Sequence, residues 1–99
     1  MGQGRRIEIE YCTGCRWLLR AAWFAQELLS TFEAELAEVA LIPGTTGGIF
    51  EVRIDGQTLW SRHEQGRFPE AKEIKQRVRD VVAPAETSGM LTGSPWIIR

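Results

Sequence analysis

Arg6-Ile7-Glu8-Ile9-Glu10-Tyr11-Cys12-Thr13-Gly14-Cys15 is the stretch from which the fold can be read. From Arg6 to Tyr11 polar and apolar residues alternate, and a period of two puts successive side chains on opposite faces of a β-strand. Ile7, Ile9 and Tyr11 then face a core, while Glu8 and Glu10 face water as solubilising charges. Beyond Thr13 the period lengthens. Leu18, Ala21, Ala22, Ala25, Leu28, Leu29 and Phe32 recur at spacings of three and four, which predicts an amphipathic helix from Thr13 to about Phe32. Two thiols, Cys12 and Cys15, thus fall where a strand hands over to a helix.

Working outward, Val39 to Ile42 is a short apolar run ended by Pro43-Gly44, a second strand. Ile49 to Ile54 and Gln57 to Ser61 flank Asp55-Gly56, which favours a type I′ hairpin because both central positions need φ > 0. Pairing across that turn predicts Phe50, Val52, Ile54 and Leu59 on one face, and Ile49, Glu51, Arg53 and Trp60 on the other. Pro69 suits the first turn of a last helix, carried by Ala71, Ile74, Val78, Val81 and Val82 and stopped by Pro84. The order is β-α-β-β-β-α. A right-handed crossover makes the first two strands parallel and the hairpin adds antiparallel strands, giving a small mixed α/β sheet with both helices on one face.

The 99 residues, 43% hydrophobic and 25% charged, are enough for one core and too few for two. Residues 1–84 are read as one domain and 85–99 as a C-terminal tail. The tail's Met90, Leu91, Trp96, Ile97 and Ile98 need a surface, expected at Ile49 and Trp60 or on a second chain, in a homodimer through the tail. A net charge of −1 with scattered basic residues argues against nucleic acid and anionic membranes as partners. The longest apolar stretch, Trp17 to Ala25, is broken by Arg20 and is too short to span a bilayer. A cytoplasmic location is expected, and two cysteines three residues apart are too few for a secreted disulfide framework.

A thiolate at a helix N-terminus is stabilised by unpaired backbone N–H groups, and Arg16 adds a cation, so the Cys12/Cys15 pair is a candidate for thiol–disulfide exchange. A zinc site is the poorer reading, because only His63 could join the two thiols and structural zinc takes four ligands. Two inert thiols, or a static disulfide closing a tiny loop, are the other readings.

The motif Tyr11-Cys12-Thr13-Gly14-Cys15, followed by Gly47-Gly48-Ile49-Phe50-Glu51-Val52-Arg53-Ile54-Asp55-Gly56, Leu59-Trp60-Ser61 and Gly66-Arg67-Phe68-Pro69, resembles the selenoprotein W-like branch of the SelT/SelW/SelH (Rdx) family over about residues 5–83. The resemblance implies a thioredoxin-like fold and a thiol redox role often linked to glutathione; no cofactor is expected, with glutathione as co-substrate. The resemblance makes this chain an all-cysteine homologue. In the selenocysteine members selenium sits at the position of Cys15, which points to Cys15 as the attacking residue. Proximity to the helix start points instead to Cys12, with Cys15 resolving, and both assignments stay open. Thioredoxins carry a cis-proline where this chain has Thr45-Thr46-Gly47-Gly48, so their substrate-docking geometry does not carry over to this chain.

Thr45, Thr46, Gly47 and Gly48 are candidates for substrate binding through backbone N–H groups, although such Gly-rich segments are more often plain loops. Trp23 falls on the polar side of the first helix, and Trp23 and Trp60 are candidate partner contacts; Trp23 could equally lie flat over neighbouring side-chain stems. Trp17 and Phe24 read as core edge and His63 as a solvated loop residue. Two functional classes follow. One is a small thiol–disulfide oxidoreductase acting on protein or glutathione thiols and disulfides; the other is a non-enzymatic redox-sensing interaction module.

Overall fold

The computed structural model describes residues 4–83. Strand β1 (Arg5–Cys12) is followed by helix α1 (Leu18–Thr31), strands β2 (Leu36–Gly44), β3 (Phe50–Ile54) and β4 (Gln57–Ser61), a short helix α2 (Arg62–Gln65) and helix α3 (Ala71–Val82). The four strands form one sheet in the order β2-β1-β3-β4. β1 runs parallel to β2, with Ile9 opposite Leu41 and Cys12 opposite Gly44. β3 pairs antiparallel with β1, Ile9 opposite Val52, and β4 pairs antiparallel with β3. The α/β class and the β-α-β-β-β-α order are as expected for a thioredoxin-like fold, with α2 as an addition.

Ile7, Ile9, Phe50, Val52 and Ile54 all point into one core with Ala21, Phe24, Ala25 and Leu28 of α1 and Ile74 and Val78 of α3, so both long helices cover the same sheet face. Each fully buried Ile or Leu here contributes about 1.5–3 kcal/mol through area removed from water, before ordering entropy is counted. The opposite face carries charge. Arg53 sits between Glu8 at 3.3 Å, Glu10 at 3.1 Å and Glu51 at 2.9 Å, and Arg6 pairs with Glu8 and Glu38. This network explains how a sheet face can stay open to water on alternating strands.

Three expectations are corrected by the packing. Helix α1 begins at Leu18, not Thr13, because Thr13 to Arg16 form a turn closed by Arg16 N–H donating to the Thr13 carbonyl at 3.0 Å, with Arg16 at φ 62°. Its buried stripe is Ala21, Phe24, Ala25 and Leu28, leaving Leu18 and Leu29 exposed; the Phe24 ring packs 5.9 Å from that of Phe50 and turns the helix towards that side. Trp60 lies in the core, not on the outer face. The register shifts between Val52 and Arg53, so that Val52 faces Trp60 and Arg53 faces Thr58, which leaves Leu59 as an extra residue. Such a β-bulge lets consecutive residues share a face, and Leu59 and Trp60 are both buried.

The second strand is longer than the apolar run Val39–Ile42 indicates, since β1 pairs it from Leu36 to Gly44. Helix α3 starts after a capping box in which the Glu70 side chain accepts from the Glu73 N–H and the Glu73 side chain accepts from the Glu70 N–H at 2.8 Å. The tail expectation, with its Met90, Leu91, Trp96, Ile97 and Ile98, lies outside the described residues. Trp60, buried in the core, does not offer the docking surface expected for it.

Candidate redox site at the end of the first strand

Cys12 is the last residue of β1 and is anchored from both sides. The Thr13 N–H donates to the Gly44 carbonyl at 3.4 Å, the Thr13 hydroxyl donates to the same oxygen at 3.2 Å, and the Trp17 N–H donates to the Cys12 carbonyl at 3.4 Å. The segment Thr13–Arg16 is thereby pinned at its two ends and bulges out between sheet and helix. Across it Cys12 and Cys15 form a disulfide, with Cα atoms 5.3 Å apart. The Cys15 backbone N–H donates to the Cys12 sulfur at 3.2 Å.

The two sulfurs are not equivalent. Cys12 is only 4% exposed, whereas Cys15 is half-buried on the outward bend of the loop. The premise that Cys12 is the exposed thiol at the helix start is therefore corrected: the helix begins at Leu18, the amide bonded to the Cys12 sulfur belongs to the loop, and Cys15 is the more exposed residue of the two. Arg16 is exposed and forms no ion pair among the described residues, so it adds a cation to the loop without a fixed geometry.

Beneath the loop lies an aromatic wall. Trp17, the N-cap of α1, stands edge-on to Phe68 at 4.7 Å and to Phe50 at 6.4 Å, and Phe50 meets Phe68 at 5.1 Å. Two guanidinium groups close it. Arg20 lies 4.1 Å over the Phe68 ring, and Arg62 lies 5.0 Å over Trp17 and 5.2 Å over Phe68. Trp17 is thus part of the site's floor as well as core edge. Sequence spacing could not reveal Arg20 and Arg62 as its lid, since they come from different elements.

Beside the loop, Thr46, Gly47, Gly48, Ile49, Glu51, Arg62 and His63 line an open groove of about 380 Å³. The Thr46–Ile49 turn that forms one wall is closed by Ile49 N–H donating to the Thr46 carbonyl at 3.2 Å, and Gly48 adopts φ 79°, a left-handed conformation in which glycine carries no steric penalty. Of the four loop residues expected to bind substrate, Thr46, Gly47 and Gly48 face this groove and Thr45 does not. His63, read as a solvated loop residue, is exposed but sits on α2 at the groove's edge. Trp23 is 48% exposed, with its ring edge-on to Phe24 at 5.1 Å, so it remains at the surface as the sequence suggested; Trp60 is 2% exposed and is withdrawn as a partner contact.

Comparison with known proteins places this geometry. The model of the Rdx family matches residues 6–80. This chain belongs to the Rdx family. A crystal structure of a selenoprotein W-related protein from Vibrio cholerae superposes with a TM-score of 0.77 at 53% identity, covering 80% of this chain and 98% of that one. A crystal structure from Bordetella parapertussis gives a TM-score of 0.75 at 65% identity, covering 78% of this chain and 96% of that one. Among curated proteins, migration and invasion enhancer 1 from Bos taurus is 35% identical and that from Mus musculus 33% identical, each alignment covering 79% of this chain. The chain spans 65% of the length of these two curated relatives. Family membership and the Cys12–Cys15 pair together fit a redox role. No helix of the described residues is long and apolar enough to cross a membrane.

Proposed function

We propose that this Rdx-family chain is a thiol–disulfide oxidoreductase in which Cys15 exchanges with substrate and Cys12 resolves. The observation that carries the reading is the asymmetry of the pair: Cys15 is reachable, while Cys12 is buried with the Cys15 N–H on its sulfur. Disulfide exchange is fastest when an accessible sulfur is attacked and the departing sulfur leaves as a stabilised thiolate. The amide of Cys15 supplies that stabilisation to Cys12.

In the reducing direction the Cys15 thiolate attacks one sulfur of a substrate disulfide, and the other substrate sulfur leaves as a thiolate. Cys12 then attacks the Cys15 sulfur, forming the Cys12–Cys15 bond and expelling the second thiolate. The two protons of the protein thiols end on the two product thiols through solvent, and the protein is left oxidised. Two equivalents of an external thiol, of a protein or of glutathione, restore the dithiol: the first opens the Cys12–Cys15 bond as a mixed disulfide on Cys15 with Cys12 leaving, and the second releases Cys15 and departs with the first as the external disulfide. A reducing compartment such as the cytoplasm suits this cycle.

The test is to treat the reduced Cys12→Ser and Cys15→Ser variants with oxidised glutathione and read their masses. Cys12→Ser gains one stable glutathionyl group on Cys15, while wild type passes on to the internal disulfide. Failure of Cys12→Ser to take up glutathione or of wild type to close the internal disulfide overturns the reading, as does faster uptake by Cys15→Ser than by Cys12→Ser. One observation favours a second reading, a redox-sensing interaction module: Leu19 and Trp23, four residues apart on α1, are 82% and 48% exposed next to the redox loop. Sustained turnover with an added reductant separates the enzyme from the sensor.

A further inference from the structure

Arg62 is held in an unusual state. Its Nε is buried without a hydrogen-bond partner, its guanidinium lies 5.0 Å over Trp17 and 5.2 Å over Phe68, and it forms no ion pair among the described residues. A buried N–H of a cation that has lost its water is costly unless an acceptor arrives. The two rings return part of that cost through the cation–π interaction. It does not satisfy the N–H groups. The fork opens on the groove: Nη1 lies 3.9 Å from where a Cβ on Gly48 would stand, and Gly47 has nothing within 4 Å of that position.

The rest of the groove suits the same ligand. Its carboxylate, Glu51, is already held at 2.9 Å by Arg53 on the same face of the strand, and His63 brings a second nitrogen donor to the edge. Thr46 follows Gly44 by two residues, at most about 7 Å of chain, and Gly44 is the strand partner of Cys12. Arg62 touches Trp17, whose N–H is bonded to Cys12. The groove is therefore within the span of a small peptide whose sulfur lies at Cys15.

We propose that this groove is a carboxylate subsite: Arg62 receives a free carboxylate of a peptide-sized thiol or disulfide while that ligand's sulfur meets Cys15. The inference rests on the exchange reading above and adds to it a residue that determines specificity. A planar guanidinium binds carboxylate through two parallel hydrogen bonds, and a Gln in its place has neither the charge nor the fork.

Oxidised glutathione and its fully methyl-esterified form are the probe pair for the rate, and S-methylglutathione, which cannot exchange, is the probe for binding. Reduced wild type reacts about 10-fold faster with the acid than with the ester, the size of one charge-assisted hydrogen bond. Arg62→Gln brings that ratio close to unity and Arg62→Lys retains part of it. In wild type, S-methylglutathione shifts the Arg62 Nε–H resonance and the ester of S-methylglutathione does not. An acid-to-ester ratio near unity in wild type, a ratio unchanged in Arg62→Gln, or an Nε–H resonance indifferent to S-methylglutathione overturns the subsite. If wild type exchanges with both disulfides equally, the subsite fails and the redox reading stands. If it exchanges with neither, the redox reading fails and the resonance decides the subsite alone, without any variant having to fold.

Discussion

The backbone N–H of Cys15 points at the sulfur of Cys12 from 3.2 Å, so the residue that is reachable also holds the residue that is buried. Chemical labelling reads this directly. In the reduced protein at neutral pH, Cys15 is expected to alkylate before Cys12, because reaction needs access as well as thiolate character. Peptide mapping after a short pulse of iodoacetamide gives the order, and prior labelling of Cys12 would reverse the roles assigned to the pair.

The hairpin turn offers a test of local structure. Asp55 adopts φ 48° and Gly56 φ 87°, the signs a type I′ turn needs. The Asp55 carboxylate accepts from the Arg6 N–H at 3.1 Å and pairs with Arg5 at 3.0 Å. Asp55→Ala removes the side-chain acceptor and puts a residue with little tolerance for the left-handed region there, at an expected cost of about 1–2 kcal/mol. Urea unfolding should show a lower midpoint at unchanged slope.

Much of the fold was legible because β1 and β3 obey a strict alternation and Asp55-Gly56 marks its turn chemically. Trp60 was misplaced since one extra residue, Leu59, reverses the inside–outside count beyond it, and a bulge has no sequence mark here beyond two adjacent large apolar residues. The helix start was misread for a related reason: Ala21 and Ala25 set the period, but Gly14 and the left-handed Arg16 belong to a turn that periodicity does not register. The two cysteines could be found from spacing alone. The unequal burial that separates their roles could not, because it depends on how β2 and α1 close around the end of β1. Arg62 was beyond reach for the same reason, since Trp17, one of the two rings it lies over, is far away along the chain.

Burial of Trp60 has a measurable consequence. Its Nε1–H donates to the Arg67 carbonyl at 3.0 Å, and the Arg67 and Arg77 guanidiniums lie 5.0 and 4.8 Å from its ring. Trp60→Ala should destabilise the protein by about 3–5 kcal/mol, and Trp60→Phe by less, through the lost hydrogen bond and a smaller void. Trp23→Ala, at an exposed ring, should change stability little. Equal effects of Trp60→Ala and Trp23→Ala on the thermal midpoint would contradict the placement of Trp60.

Glu73 is one of the carboxylates that contribute to acid stability. Hydrogen bonds from Arg67, then from the Glu70 backbone, hold its carboxyl at about 2, below its ordinary 4.5. A carboxyl depressed in the folded state stabilises the protein fully above its unfolded value, and this contribution is lost as pH falls from about 4.5 towards 2. Glu73→Gln should therefore lower the thermal midpoint at pH 6 and lose its difference from wild type near pH 2. A difference that stays constant across that range would show that the capping box does not depend on the charge.

Reversible two-electron exchange at Cys12 and Cys15 is the central claim, and intact-protein mass spectrometry across a series of glutathione redox buffers tests it most directly. The account predicts that the wild-type chain passes between a dithiol and a form lighter by two hydrogens as the buffer is made more oxidising, returns on reduction, and does neither when Cys12 or Cys15 is replaced by Ser. A chain that keeps both thiols free to alkylate at every redox poise, or one that oxidises and never returns, would contradict it.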